Sequence, residues 1–383
     1  MNFITIVIVL LIISFLVVVH ELGHYWAARK NGIRVEEFGI GYPPKLFGKK
    51  FGETLYSINL VPFGGFERIA GEDQEEEADK NDAGSFANKT PWQKSQVLLA
   101  GVFMNLILGF VLYYILFFFT GFKSFYIPMF FDYKFKLGNE RVYETMIFDI
   151  EQDSPAYKAG IKPGEVVLTV DGVGIKDVYD LRKALVGKAG ESVEVVTVDA
   201  NAQSSVENKV YNLIPEQNKV EGSDENSAII GVYLGEAKSI SYDTVVQKIF
   251  AGPMHVYNML SYSISTIGKV IGISVETKDI EPVASSMTGP VGLFNILGSI
   301  VEDIDGRKIL VLLDTVAIIS LGFAFTNLLP IPALDGGRTM FRIYEGITKK
   351  KVNPKLEAKV HNLGMIVLLA LISLITFRDI KVW

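Results

Sequence analysis

Four stretches of the chain are apolar, carry no charged side chain and are long enough to cross a membrane. They cover residues 1–19, 95–122, 315–334 and 360–377. A membrane-spanning helix needs about 20 mostly apolar residues, and about 17 is the lower limit. The pattern therefore predicts a polytopic α-helical membrane protein with four transmembrane helices.

The polar residues around these helices divide the chain into segments. With their flanks, the four transmembrane segments are expected at residues 1–28, 95–122, 309–337 and 357–377. Residues 29–94 hold β-patterned runs at 35–40, 54–61 and 66–69, and then an acidic run at 72–82. Strands between membrane segments predict a membrane-associated β-hairpin region in a protein-lined cavity, because unpaired strands are costly in lipid. The acidic run is expected to be a solvated loop.

A fifth charge-free stretch, at residues 249–268, has a different composition. It is rich in Ser, Thr, Asn and His, and Pro253 interrupts it. We expect residues 243–275 to form a helix on the membrane surface with a single apolar face. A fifth membrane span is the alternative.

The basic residues set the expected orientation. Lys and Arg follow the first helix and separate the third from the fourth, so both of these loops are expected in the cytoplasm. The N-terminus, residues 123–314 and the C-terminal tail are then expected outside. A cleaved signal peptide is the alternative for the first helix, but no basic segment precedes the apolar run. We therefore expect that helix to be retained.

The overall composition agrees with a membrane protein and narrows the chemistry. Hydrophobic residues make up 49% of the 383 residues, and charged residues make up 21%. The net charge of −6 argues against a nucleic-acid partner. The chain contains no Cys, which excludes disulfides, Cys-ligated zinc, iron–sulfur clusters and thiol nucleophiles.

The first apolar stretch ends in the pattern His20-Glu21-Leu22-Gly23-His24. Residues four apart share one face of a helix, so both imidazoles can reach one ion. Glu21 lies beside that face and can take a proton from a water that the metal activates. Zinc suits two neutral imidazoles and a carboxylate, with one position left open. A chance match is disfavoured, because titratable groups at the end of a membrane helix are functional by default.

The third ligand is expected from the third transmembrane segment, which contains Asn327-Leu-Leu-Pro-Ile-Pro-Ala-Leu-Asp335-Gly-Gly-Arg. Its two prolines break the helix, and its two glycines give backbone freedom. An unwound segment inside a membrane usually lines a site. Asp335 ends the charge-free run, so we expect it at the depth of the two histidines. A helix-ending turn with a solvated Asp335 is the alternative.

These two motifs together resemble the site-2 protease family of intramembrane zinc metalloproteases, and in particular its bacterial PDZ-containing, regulator-of-sigma-E type. The resemblance extends over nearly the whole chain. It includes Gly101-Val-Phe-Met-Asn105, similar to a G-x-x-x-N pattern of the family, and Ser286-Met-Thr-Gly-Pro-Val-Gly292. The regulator-of-sigma-E protease has two PDZ modules, whereas only one is visible in this chain.

The resemblance implies a role for each matching residue at the centre. His20, His24 and Asp335 would bind Zn²⁺. Glu21 would act as the general base and then as the general acid toward the leaving amine.

The resemblance also implies residues that handle the substrate. Asn327 would hold the substrate backbone near the metal, and Asn105 would support substrate positioning or release. The strands within residues 35–69 would pair with an extended substrate.

Residues 140–237 alternate short β-patterned runs with turns and one helix. Residues 154–165 (SPAYKAGIKPGE), followed by a Val-Asp-Gly turn, resemble a passage of bacterial PDZ domains. The resemblance implies an extracytoplasmic PDZ (α+β) domain, which would bind extended peptides along a sheet edge. Ile230 and Gly231 look like the loop that borders such a groove. A generic α/β module is the alternative.

The function predicted in this way is an intramembrane zinc metalloendopeptidase that cleaves transmembrane segments of single-span membrane proteins, such as an anti-sigma factor or a signal-peptide remnant. The implied partners are these substrates, an upstream site-1 protease and membrane lipid. The implied location is the bacterial plasma membrane, with the active site towards the cytoplasm. The alternatives are a catalytically inactive membrane PDZ scaffold or chaperone, and a transporter. The intact motifs argue against the first, and the absence of a visible repeat argues against the second.

Overall fold

The computed structural model describes residues 2–72, 81–200, 208–218, 226–302 and 306–382. Its internal contacts divide the chain into one unit of Met1–Leu116 and Gly252–Trp383, and a second of Phe117–Ala251. Most of the predicted acidic loop, at 73–80, lies outside the described residues.

Long helices dominate the first unit, and strands dominate the second. In chain order, the helices are α1 (Phe3–Lys30), α2 (Pro91–Thr120), α3 (Pro155–Ala159), α4 (Val178–Leu185), α5 (Val245–Ile249), α6 (Ala251–Thr277), α7 (Glu281–Ser286), α8 (Pro290–Glu302), α9 (Gly306–Leu328), α10 (Asp335–Thr348) and α11 (Pro354–Val382). The strands are β1 (Val35–Phe51), β2 (Thr54–Ile69), β3 (Ile127–Pro128), β4 (Asn139–Ile150), β5 (Glu165–Val170), β6 (Val173–Gly174), β7 (Val193–Asp199), β8 (Lys209–Leu213), β9 (Glu216–Gln217), β10 (Ala228–Ile229) and β11 (Val232–Ser241).

Five helical stretches in the described part of the chain are long and apolar enough to cross a membrane. They are Phe3–Lys30, Pro91–Thr120, Glu281–Glu302, Lys308–Leu328 and Pro354–Lys381. Four of them overlap the predicted transmembrane segments. The remaining stretch, Glu281–Glu302, was not predicted, so the count of four spans is not confirmed. Residues 282–301 carry no charged side chain, but this stretch is the least apolar of the five, and its Ser, Thr, Gly and Pro residues obscure the apolar pattern.

This additional stretch consists of two helices with a break between them. α7 has 6 residues and α8 has 13 residues, and the break falls at residues 287–289. At about 1.5 Å per residue, α8 is about 20 Å long, which is less than the roughly 30 Å of a hydrocarbon core. Neither helix is therefore long enough to cross such a core alone.

The far end of the chain holds the break between α7 and α8 in place. The backbone N–H groups of Gly289 and Gly292 each donate a hydrogen bond of 2.9 Å to Oδ2 of Asp379 in α11. The neighbouring Arg378 donates to the carbonyls of Ala284 and Met287. The buried carboxylate thus satisfies donors at the start of α8, where a helix leaves its first N–H groups unpaired.

We expect Asp379→Ala to destabilise the protein by about 1–3 kcal/mol, because two buried N–H groups lose their acceptor. The measurement is thermal unfolding of the detergent-solubilised chain. Glu276→Ala, which removes an exposed carboxylate from α6, is the matched control and should leave the melting temperature unchanged. Equal melting temperatures for both variants would contradict the role given to Asp379.

Helix α6 differs from the predicted surface helix. Pro253 does not interrupt it, because it lies in the first turn, where a missing N–H removes no intrahelical bond. In the N-terminal half, His255 and Asn258 are buried. In the C-terminal half, Ile264 and Ile271 are exposed. Buried polar residues therefore occur in the first half, exposed isoleucines occur in the second, and the membrane-surface position stays a prediction.

Strands β1 and β2 fold into a sheet of four segments rather than a plain hairpin. Residues 35–40 pair on one side with 65–69 and on the other side with 55–58, while residues 45–51 pair with 54–59. The edges of this sheet are therefore residues 45–51 and 65–69. The second edge adjoins α1, where the Ser14 hydroxyl bonds to Pro62 O at 3.0 Å and to Gly64 N at 3.1 Å.

The second unit contains a seven-stranded sheet in the order β3–β11–β4–β5–β7–β8, with β6 paired to β5. β9 and β10 form a separate two-stranded ladder. Leu181 and Leu185 of α4 pack into a buried core with Val170, Val193 and Val195 of the sheet. This mixture of helix and sheet agrees with the α+β expectation, and the PDZ assignment stays a prediction.

Candidate metal centre

Helix α1 carries the two predicted histidine ligands near its C-terminal end. His20 and His24 lie one turn apart, and both are buried. Their rings meet edge to face with centroids 4.7 Å apart. Because residues i and i+4 share a helix face, their Nε2 atoms lie only 3.1 Å from each other.

The third predicted ligand follows the loop between α9 and α10. Helix α9 ends at Leu328, before the two prolines, and Asp335 is the first residue of α10. Ala333 has a φ of 83°, a left-handed conformation that non-glycine residues adopt mainly at strained functional positions. A Cβ at Gly336 would lie 2.3 Å from the carbonyl oxygen of Leu329, so only glycine lets α10 start against this loop. The loop and the glycine together fix the position of Asp335.

The three predicted ligands have the spacing of a tetrahedral metal site. Oδ2 of Asp335 lies 3.1 Å from Nε2 of His20 and 3.5 Å from Nε2 of His24. Zinc binds such atoms at about 2.0–2.2 Å, and tetrahedral angles then place ligand atoms about 3.4 Å apart. The observed separations lie on both sides of this value. The donor set therefore fits Zn²⁺, with a fourth position open.

Helix α2 contacts the other ring nitrogen of each histidine. Nδ1 of His24 donates a hydrogen bond of 2.8 Å to the carbonyl oxygen of Val97, which leaves the lone pair of Nε2 free to bind a metal. Nδ1 of His20 lies 3.3 Å from the side-chain amide of Asn105, which is fully buried. Oδ1 of Asn105 has no partner among the described residues, and a flip of the amide would turn it towards His20. Nδ1 of His20 would then donate to this oxygen, and its Nε2 would also be free for the metal.

Two glycines allow α1 and α2 to approach each other at the site. A Cβ at Gly101 would lie 2.4 Å from Nε2 of His24 and 2.7 Å from Nε2 of His20. A Cβ at Gly23 would lie 2.4 Å from the carbonyl oxygen of Ala100. Any side chain at either position would separate the helices or push the imidazoles away from the metal position.

A cavity of about 360 Å³ opens onto the three ligands. Glu21 and Asn327 line it, as does Glu67 from β2. Carboxylate oxygens of Glu21 and Glu67 lie within 4.8 Å of each other. Arg338 and Glu72, also in the lining, form an ion pair with an N–O distance of 2.5 Å. The arrangement can hold a metal beside a proton acceptor and leave room for a peptide group.

Comparisons with known proteins show the family of this chain. The sequence model of peptidase family M50 matches residues 8–371. A protein of Clostridium perfringens named as a zinc metalloprotease is 32% identical over 375 residues, which cover 98% of each chain. The zinc metalloprotease RasP of Geobacillus kaustophilus is 27% identical in an alignment of 451 positions, gaps included, that covers 97% of each chain. The chain belongs to peptidase family M50.

This membership confirms the predicted site-2 protease family, the zinc metalloprotease class and the Zn²⁺ cofactor. Among solved structures, the PDZ domain of an SdrC-like protein from Listeria monocytogenes matches with 16% identity and a TM-score of 0.19. The match covers 24% of this chain and 87% of that one. A score of this size does not bear on the fold of the second unit.

The predicted site residues of this M50 chain fall into three places. Those at the cavity are His20, Glu21, His24, Asn327 and Asp335. Asn105 is fully buried behind His20 and is not among the residues that line the cavity. Ile230 and Gly231 belong to the second unit, where the Ile230 side chain is buried in the core. Their role in substrate binding stays a prediction.

The sequence patterns missed three contributors to the M50 site. They are the carbonyl of Val97, the close approach at Gly101 and the carboxylate of Glu67. The first two could have been found, because residues 97, 101 and 105 are spaced four apart and share one face of α2. Glu67 has no such spacing in the sequence, since its position near Glu21 depends on how β2 folds.

We expect Gly101→Ala to reduce bound zinc far below one ion per chain, because the new methyl group would press on both imidazoles. The measurement is metal content after purification. Gly322→Ala is the matched control, since a Cβ at Gly322 of α9 would meet no atom within 4 Å. A Gly101→Ala protein that holds zinc as well as the control would refute the close approach.

We expect Asn105→Ala to weaken zinc binding by about 10–100-fold, because His20 loses the partner that fixes its ring. The measurement is competition against a chelator of known affinity. Asn353→Ala, at an exposed position, is the control. If Asn105 instead handles the substrate, zinc affinity will stay constant and KM will rise.

Proposed function

We propose that this M50 chain is an intramembrane endopeptidase that cleaves the membrane-spanning segments of single-span membrane proteins. The observation that carries the proposal is the position of the metal ligands. They lie at the end of the apolar helix α1 and at the start of α10, directly after the apolar helix α9. A peptide bond that reaches the cavity therefore comes from a segment lying among membrane helices.

The residues around the cavity suit peptide hydrolysis. When bound, zinc polarises a carbonyl and makes water a better nucleophile near neutral pH. Glu21 accepts the proton of the attacking water and passes it to the leaving amine. Asn327, in the cavity wall, donates a hydrogen bond to the substrate backbone.

The substrate must be unwound before it is cut, since the carbonyl of a helical peptide bond is hydrogen-bonded and sterically covered. Unpaired backbone groups are costly in lipid, so the enzyme must provide replacement partners. The sheet edge at 65–69 supplies them, because it adjoins α1 and carries the cavity-lining Glu67. An extended substrate paired with this edge would pass the metal ligands.

The second unit is proposed to be a PDZ domain on the extracytoplasmic side. Gly231 has a φ of 74° and precedes β11, which supports a tight loop before the strand that borders the groove. Ile230 and Gly231 would border the peptide there. The domain either binds a peptide or limits the size of the substrate's outer part, which a site-1 protease would first have shortened.

The proposed setting is the bacterial plasma membrane, with lipid around four spans and the active site towards the cytoplasm. Basic residues support this orientation, since Arg29 and Lys30 end α1 and lysines 349–351 follow α10. The break between α7 and α8 supports four crossings, because neither helix is long enough to span alone. The proposed segments are 1–28, 95–122, 309–337 and 357–377.

We expect Glu21→Gln to lower cleavage by about 10²–10⁴-fold and to retain one zinc per chain, because only the proton acceptor is lost. The full chain in proteoliposomes would be given a single-span reporter with a helix-destabilising residue in its span. Products would be mapped by mass spectrometry. Glu36→Gln, at an exposed position of the β1–β2 sheet, is the control.

Zinc-loaded parent protein that cuts only outside the span would refute the intramembrane assignment. Failure to cut any single-span reporter, with zinc bound, would favour a catalytically inactive membrane scaffold. Removal of zinc with a chelator should abolish cleavage, and added zinc should restore it.

A further inference from the structure

One carboxylate in the cavity has no role in the chemistry described above. Glu67 lies in the sheet edge at 65–69, opposite Phe38 of the neighbouring segment. One of its oxygens lies within 4.8 Å of a carboxylate oxygen of Glu21 and of a ring nitrogen of His24. Its Oε2 atom is buried and has no hydrogen-bond partner in the part of the chain that the structure describes.

The charges around Glu67 do not neutralise it. Glu21 and Glu72 also line the cavity and have the same sign. The guanidinium in the lining, Arg338, has Nη1 2.5 Å from Glu72. Asp335 and Glu21 together carry the two negative charges that would balance a bound Zn²⁺. Glu67 as a whole is half-buried, but a buried carboxylate oxygen without a partner is costly, and a cation that entered the cavity would offset this cost.

Glu67 also lies where a substrate would pass. A substrate strand that pairs with the edge at 65–69 runs alongside Glu67, and successive side chains of a strand point to opposite faces. A substrate residue whose side chain turns towards the cavity would therefore lie next to this carboxylate. Because the metal ligands line the same cavity, that residue would be close to the bond that is cut.

Single-span membrane proteins offer suitable cations at this depth. Their cytoplasmic flanks carry an excess of Lys and Arg, and long basic side chains near helix ends reach towards the interface. The metal ligands of α1 lie less than three turns before Arg29 and Lys30, at the end of the helix assigned to the cytoplasm. A partly unwound substrate would bring its own basic flank to the same level.

We propose that Glu67 is a specificity-determining residue that binds a Lys or Arg side chain of the substrate next to the scissile bond. This inference rests on the proposed intramembrane cleavage and adds the substrate feature that the site selects. Glu67 takes no part in the proton transfer that is assigned to Glu21.

The first test measures binding without cleavage. Full-length Glu21→Gln protein in nanodiscs would be titrated with fluorescent single-span reporters that differ only in Lys or Gln, placed in turn along the cytoplasmic end of the span. At one or two neighbouring positions, the Lys reporter should bind about tenfold more tightly. Adding Glu67→Gln should bring the two affinities together. Adding Glu67→Lys should favour a reporter with Glu at that position.

The second test measures selectivity and metal content in chains that retain Glu21. The ratio of kcat/KM for the Lys and Gln reporters should be about ten in the parent and close to one in Glu67→Gln. Bound zinc should stay at one ion per chain in both. Glu36→Gln, in the same sheet but exposed, should leave the ratio unchanged.

Each result decides between the two proposals. The specificity role would be overturned if protein with its native Glu67 bound and cleaved the Lys and Gln reporters equally at every position. That result would leave the cleavage proposal intact. If chains that retain Glu21 bind the Lys reporter preferentially but cleave neither reporter, the cleavage proposal would be overturned and the binding role of Glu67 would stand. Loss of zinc in Glu67→Gln would also overturn the inference, since it would show that Glu67 supports the metal.

Discussion

The close contact between α1 and α2 is the constraint on which the metal centre depends. Gly23 and Gly101 remove the side chains that would keep the two helices apart. Inside a membrane there is little hydrophobic force between helices, so small residues that permit close backbone contact favour their association. The same contact brings Val97 and Asn105 to the outer nitrogens of the histidines. The packing of α1 against α2 therefore also sets the orientation of the two histidine rings.

A second constraint decides where irregular backbone can occur. Lipid offers no hydrogen bonds, so strands and loops at membrane depth must border protein or a cavity. The edge at 65–69 and the loop at 329–334 both meet this condition, since residues of each line the cavity beside the predicted zinc ligands. In the proposed cleavage, the backbone groups that such segments leave unpaired would pair with an unwound substrate. The fold therefore places its irregular parts at the cavity.

Local patterns in the sequence were sufficient for the chemistry but not for the packing around it. The spacing of His20 and His24, and the proline-broken helix before Asp335, predicted a ligand set whose atoms come within 3.5 Å of one another. The apolar pattern did not reveal the stretch Glu281–Glu302, because its Ser, Thr, Gly and Pro residues lower its hydropathy. The position of Glu67 near Glu21 was equally hidden, since it depends on how distant segments pack together.

The sequence of residues 243–275 did not reveal its surroundings either, and its position at the membrane surface stays a prediction. A polar stripe and a proline suggested a helix on the membrane surface, whereas the first half of α6 buries polar side chains such as Asn258. A polar residue in a helix has the same sequence signature whether it faces headgroups or other helices. Only the arrangement of neighbouring helices separates the two cases.

The separation of the ligands along the chain has a consequence for biosynthesis. His20 and Asp335 are 315 residues apart, and Asp379, which holds the break before α8, follows later still. A ribosome delivers the two histidines long before the aspartate. Until Asp335 has been made, the nascent chain therefore carries an incomplete metal centre. Under the proposed function, such a chain would not cut newly made membrane segments that share the insertion machinery.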